Sequence, residues 1–260
     1  MDSDDNIDID IFAEPEGYYP EAPSPTKTSY SLKTPINGKK DISLQLVGSH
    51  PLWGHHLWNS SIIMAQYIEE NNFIQGKNVL ELGAASGLPS LVSVAKGANK
   101  VVITDYPDPD LVGNILYNAN LNFSEKVTSG DLSVEGYIWG KSVDDLVKHL
   151  APNDAFDILL LSDLVFNHSE HNSLLKTCKE LLSSPKNQGN TTSPERMALV
   201  FFTHHRPWLA EKDMMFFTTA KTEFGFKVEE IIEKYTGPMF ENDPGDKTVR
   251  GTVHGYKMTL

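Results

Sequence analysis

Apolar residues recur along this chain in two rhythms. One is the short continuous run, bounded by turn residues, that marks a strand covered on both faces. Val79, Leu80 and Leu82 form such a run, and Lys100 to Thr104, Phe156 to Leu161 and Met197 to Phe202 repeat it. The other has helical spacing: Leu57, Trp58, Ile62, Ala65 and Ile68 share one face, which predicts a helix starting at Trp58 and packed on a sheet. Helices are likewise predicted for Leu88 to Lys96 with Gly97 as its C-cap, Leu111 to Asn120, Ser169 to Leu182 and Asp213 to Phe224. Further strands are predicted at Ser43 to Val47, Ser133 to Trp139, Lys227 to Lys234 and Val253 to Leu260. Alternation of this kind predicts an α/β fold around a mostly parallel sheet.

In such sheets ligands bind at the carboxyl ends of the strands, where Gly83, Asp105, Trp139 and Ser162 would meet. The first of these ends runs through a turn of small residues, Gly83 to Gly87, into the helix at Leu88, whose free N–H groups and nearby glycines suit close approach of a ligand. Asp105 follows 22 residues after Gly83, about where a nucleoside-binding unit places a carboxylate for ribose hydroxyls. A dinucleotide fingerprint would want glycines where Ala85 and Leu88 stand, and a phosphate-cradling loop would want a lysine after Gly87. What remains is Glu81, Gly83 and Gly87, an acidic residue, a small-residue turn and a final glycine. That pattern resembles the first motif of the seven-strand S-adenosylmethionine-dependent methyltransferases.

Charge and composition narrow the partners. The chain has 260 residues and a net charge of −13, but eight acidic and no basic side chains fall in residues 1–26, so the other 234 carry −5. An acidic surface disfavours nucleic acid, whose phosphates need a basic face. No stretch approaches the ~18 to 20 uninterrupted apolar residues of a membrane span, and the acidic start lacks a basic, then apolar, secretory leader, so a cytosolic protein is expected. The lone Cys178 makes no internal disulfide. His50, His55 and His56 have no Cys, Asp or Glu beside them to complete a metal set. Residues 1–34 are acidic and then rich in Pro, Ser and Thr, which predicts an unstructured arm, with only Phe12, Tyr18 and Tyr19 suited to docking. The methyltransferase domain is expected over 35–260.

Taken together, LVGSHPLWGHHLWN, GKNVLELGAASGLPS, TDYPDPDL, GYIWG and DLVF closely resemble the protein-lysine methyltransferase family 16 over residues 44–235. The resemblance implies a Rossmann-like, seven-stranded, mostly parallel sheet with helices on both faces, the class I methyltransferase fold. It implies S-adenosyl-L-methionine as cofactor, with Trp58 against its methionine part, Gly83, Ala84 and Ala85 lining it by backbone, Asp105 on the ribose, Trp139 flanking the adenine and Ser162 closing the wall. The family's aspartate-x-x-aromatic signature falls on Asp163 and Phe166, beside the methyl donor. The likeness reaches to fungal members that methylate the N-terminal glycine and adjacent lysine of translation elongation factor 1-alpha; a monomer is expected. The same cofactor unit also serves small-molecule, nicotinamide-type N-methyltransferases and binding proteins without turnover. Ala85 stands where the family commonly has glycine, which predicts a negative φ there.

Overall fold

A computed structural model describes residues 23–36, 38–183 and 195–260. A hairpin of β1 (Thr26–Ile36) and β2 (Lys39–Leu46) precedes the main domain. There follow α1 (Asn59–Glu70), β3 (Asn78–Leu82), α2 (Leu88–Ala95), β4 (Lys100–Asp105), α3 (Pro109–Ser129), β5 (Leu132–Gly136), α4 (Asp144–Val147) and β6 (Ile158–Ser162). Then come α5 (His171–Ser183), β7 (Met197–Thr203), α6 (Ala210–Thr222), β8 (Lys227–Tyr235), α7 (Lys247–Gly251) and β9 (Thr252–Thr259). Seven strands form one sheet in the order β5-β4-β3-β6-β7-β9-β8, parallel except for β9.

The continuous apolar runs have the burial their pattern predicts. Every residue of β3 and of β6 is buried, and successive side chains divide between the two faces. Val79, Ile158 and Leu160 join α1, α2 and α3 in one core, through Met64, Leu91 and Ile115 among others. Their neighbours Leu80, Leu159 and Leu161 face α5 and α6 in the other, against Leu175, Cys178 and Phe216. β3 lies between β4 and β6, so the chain leaves it toward opposite sides of the sheet. That reversal of strand order opens a crevice at the carboxyl ends of β3 and β6.

The arm differs from expectation. Strand β1 begins at Thr26, inside the segment predicted to be unstructured, because pairing with β2 buries Tyr30 and Leu32 in the core. Phe12, Tyr18 and Tyr19 lie outside the described residues. The edge of β2 not paired to β1 is met by three asparagines at four-residue spacing on α3. Gln45 N donates to Asn118 Oδ1 at 2.7 Å, Asn118 Nδ2 returns a bond to Gln45 O at 2.9 Å, and Asn114 Nδ2 donates to the same carbonyl at 2.9 Å. One turn on, Asn122 repeats the exchange with Ser43, at 3.0 Å from Ser43 N and 2.7 Å to Ser43 O. Side-chain amides thus take the place of a neighbouring strand and cover an exposed edge. They also fix the start of the 47–58 loop, which runs to α1 past the crevice.

Candidate active site

The crevice is a cavity of about 510 Å³. That lies within the ~300–1,000 Å³ common for small-molecule sites. Its floor is the turn after β3. Gly83 has φ +62°, and a Cβ there would stand 2.6 Å from Leu164 Cδ2 and 3.2 Å from Trp139 Cζ2, so only glycine admits the indole so close to the main chain. Ala84 N donates to Thr104 O at 3.0 Å, and Ala85 N donates to Asp105 Oδ2 at 2.7 Å. Ala85 itself has φ +51°, contrary to the negative angle predicted for it. The left-handed residue is the one whose N–H reaches Asp105, and this bond holds an alanine where glycine costs less.

Asp105 also accepts Tyr106 N on Oδ1 at 2.7 Å. Each oxygen keeps a free lone pair, which is what recognition of a vicinal diol needs. Burial raises the Asp105 pKa above the ordinary carboxylate value, partly offset by those two backbone donors.

Around this floor stand aromatic walls. Trp139, predicted to end a strand, lies beyond β5 in the following turn and lines the cavity with Tyr137 and Ile138. The 47–58 loop adds Trp53, His56 and Trp58 to the lining. Trp58 precedes α1 as expected and meets His56 at 5.3 Å and Phe240 at 6.1 Å, both edge on. Phe166 stacks on Trp53 with centroids 5.8 Å apart and planes 2° from parallel, joining the 47–58 loop to the segment after β6.

Ser162 and Asp163 close the bottom. Ser162 Oγ lies 3.1 Å from Ser60 Oγ, and Ser60 donates to Asp163 Oδ2 at 2.8 Å. Asp163 Oδ1 accepts His205 Nε2 at 3.0 Å and Thr203 N at 3.3 Å. The carboxylate is therefore committed to its own protein, with its side chain 5% exposed, and Asp163 sits at φ +57° to hold that position. Its two oxygens thus accept from Ser60, Thr203 and His205, which hold the carboxylate at the end of β6. Burial alone would lower the His205 pKa, but the Asp163 charge and hydrogen bond outweigh it and raise the net value.

Nine of the ten predicted residues line this one cavity: Trp58, Gly83, Ala84, Ala85, Asp105, Trp139, Ser162, Asp163 and Phe166. Glu81 does not. Its place in β3 turns it under α2, where Oε2 accepts Ser90 N at 3.1 Å, Oε1 has no partner, and burial pushes the carboxyl up to about 8. Sequence reasoning passed over Trp53, Ser60 and Glu170. Trp53 sits at φ +62° between Pro51 and Gly54, a turn signal that nothing in the periodicity makes visible.

A nucleoside cradle at the ends of β3 and β4, on a sheet of this order with only β9 reversed, defines a class I, S-adenosylmethionine-dependent methyltransferase. The chain belongs to the lysine methyltransferase family, whose pattern matches residues 39–222. It is 49% identical over 253 residues to the protein N-terminal and lysine N-methyltransferase efm7 of Schizosaccharomyces pombe, spanning 96% of this chain and 94% of that one. It is 45% identical over 260 residues to the protein of the same name from Cryptococcus neoformans, spanning 93% and 87%. Pyrococcus horikoshii TYW2, solved in complex with MeSAdo, shares the fold with a TM-score of 0.50 at 14% identity, over 90% of this chain and 72% of that one.

Proposed function

We propose that the chain transfers methyl groups from S-adenosyl-L-methionine to the N-terminal α-amine of a protein and to the lysine beside it, with translation elongation factor 1-alpha as substrate. The observation that carries this reading is the lining of one cavity, which combines a small-residue turn and a carboxylate with several aromatic rings. Gly83 to Ala85, Asp105 and Trp139 make a nucleoside cradle, and Trp53, Trp58 and Phe166 add apolar walls. The relatives' shared description as protein N-terminal and lysine methyltransferases supports the choice of acceptor. We further propose that the enzyme acts as a monomer in the cytoplasm.

When bound, the cofactor supplies an electrophilic methyl group on a sulfonium. The protein then has mainly to position the acceptor nitrogen in line with it, which accounts for a site without a nucleophile triad. Asp105 holds the sugar, and the Gly83 turn presents backbone rather than side chain. The aromatic walls remove water from the acceptor and favour its neutral form. An α-amine, with an ordinary pKa of ~7.7 to 8, loses its proton far more readily than a lysine at ~10.4. Asp163 fixes the floor by holding Ser60 and His205 in place.

The test uses purified full-length protein, labelled S-adenosyl-L-methionine and recombinant elongation factor 1-alpha with a free N-terminus, read by mass spectrometry. Methyl groups are expected on the first residue and the adjacent lysine. Label on nicotinamide and none on the protein would overturn the reading. Asp105→Ala should lower cofactor affinity by roughly one to two decades, the loss expected for charge-assisted hydrogen bonds worth about 1.5–3 kcal/mol, as measured by calorimetry.

A further inference from the structure

Among the described residues three carboxylates line the cavity, Asp105, Asp163 and Glu170, and no lysine or arginine does. Such a lining suits cations. Two of the three already have partners in the protein: Asp105 accepts from the backbone of Ala85 and Tyr106 and is assigned above to the ribose, and Asp163 accepts from Ser60, His205 and Thr203. Glu170 is half-buried, yet its side chain has no hydrogen bond or ion pair among the described residues. Its backbone is nonetheless firmly placed. It ends the short 3₁₀ turn His168–Glu170, whose first residue binds the buried Asp213 of α6 through Nε2 at 2.7 Å. The next residue, His171, is tied to Val165 O at 2.6 Å, so the turn is anchored on both sides of Glu170. A carboxylate on the cavity wall with no partner among the described residues is free to meet a cation that enters the cavity.

This inference rests on the function proposed above. A substrate that is methylated both on its α-amine and on the neighbouring lysine brings two amines to one channel. While one nitrogen sits desolvated between Trp53, Trp58 and Phe166, the other is cationic and waits outside. We propose that Glu170 is the counter-ion of that waiting amine and sets the register of the chain end in the channel. A lysine ammonium is a compact charge on a flexible stem, so a single carboxylate can serve it without bidentate geometry. When the lysine enters the channel, the same carboxylate meets the α-amine.

The experiment measures α-amine methylation by the full-length enzyme on synthetic peptides with a free N-terminal glycine and either Lys, Gln or Glu in the second position. Glu170→Gln is expected to raise KM for the Lys peptide by about five-fold, the upper range for a partly exposed ion pair, with kcat unchanged. On the Gln peptide the variant and the parent should not differ. Glu170→Lys should reverse the preference and favour the Glu peptide over the Lys peptide. Cofactor affinity, measured by calorimetry, should stay constant in both variants, which separates substrate recognition from damage to the fold. An unchanged KM for the Lys peptide in Glu170→Gln, or an equal rise on Lys and Gln peptides, overturns the assignment while leaving the proposed function intact. If the parent enzyme binds cofactor but methylates neither the peptides nor the intact elongation factor, the functional reading fails and this assignment falls with it.

Discussion

His205 donates its Nε2 hydrogen to Asp163 at 3.0 Å, and its ring meets Trp58 edge on at 5.0 Å, so one imidazole links the floor of the cavity to its wall. Because the net effect of Asp163 and burial is to raise the histidine pKa, the pair stabilises the fold most when His205 is charged. A raised folded-state pKa means that this contribution is complete below about pH 6.5, the unfolded value, and is lost as pH rises through the higher folded value. Thermal melting of the parent and of His205→Gln across that range should show a gap that is widest on the acid side. A gap of constant size from acid to alkaline pH would remove the electrostatic account of this pair.

Glu81 gives the same sign from a different cause. Burial raises its carboxyl to about 8, with opposition from its bonds to Ser90 and a smaller upward push from Asp105. The group must ionise without a partner for Oε1, so the folded state loses stability as pH climbs from about 4.5 to about 8. Glu81→Gln keeps the shape and removes the charge. Its stability relative to the parent is therefore expected to improve steadily over that interval, in denaturant titrations at a series of pH values. A difference that does not grow toward alkaline pH would show that Glu81 titrates near its ordinary value.

Gly83 and Ala85 share one turn and predict opposite outcomes. Gly83→Ala places a methyl group 2.6 Å from Leu164 Cδ2 and 3.2 Å from Trp139 Cζ2 on a residue at φ +62°. Overpacking alone costs typically 1–3 kcal/mol, so both stability and cofactor affinity should fall. Ala85→Gly relieves a left-handed alanine at φ +51°. The gain should be below about 1 kcal/mol, since glycine also increases the freedom of the unfolded chain. Chemical denaturation of the two variants checks both signs, and a destabilised Ala85→Gly would mean that the alanine methyl makes a contact outweighing its strain.

Much of the architecture was legible because it depends on local rhythm. Strands buried on both faces read as continuous apolar runs, and β3, β4, β6 and β7 fall within a residue or two of where those runs lie. The hairpin strand β1 did not read this way. Its sequence TKTSYSLKTPI alternates burial and exposure only at Tyr30 and Leu32, and it becomes a strand through pairing with β2 and packing on the core. The same holds for α3, read as Leu111 to Asn120 but continuing to Ser129, past the irregular Phe123.

At the site, the turn after β3 and the carboxylate at the end of β4 were legible from local sequence. Gly83, Asp105 and their spacing are properties of one βαβ unit, in which a short turn and a following strand end set geometry over about twenty residues. The tertiary structure alone decided which side chains are free to act. Asp163 and Glu170 are both carboxylates near the same strand end, yet Ser60 of α1 and Thr203 and His205 at the end of β7 occupy the first, while the second has no partner among the described residues. Likewise Glu81, the acidic residue of the first motif, faces α2, since the strand's two-residue alternation sends it under the helix and away from the cavity. Saturation of a hydrogen-bonding group depends on residues distant in sequence. No local pattern records it.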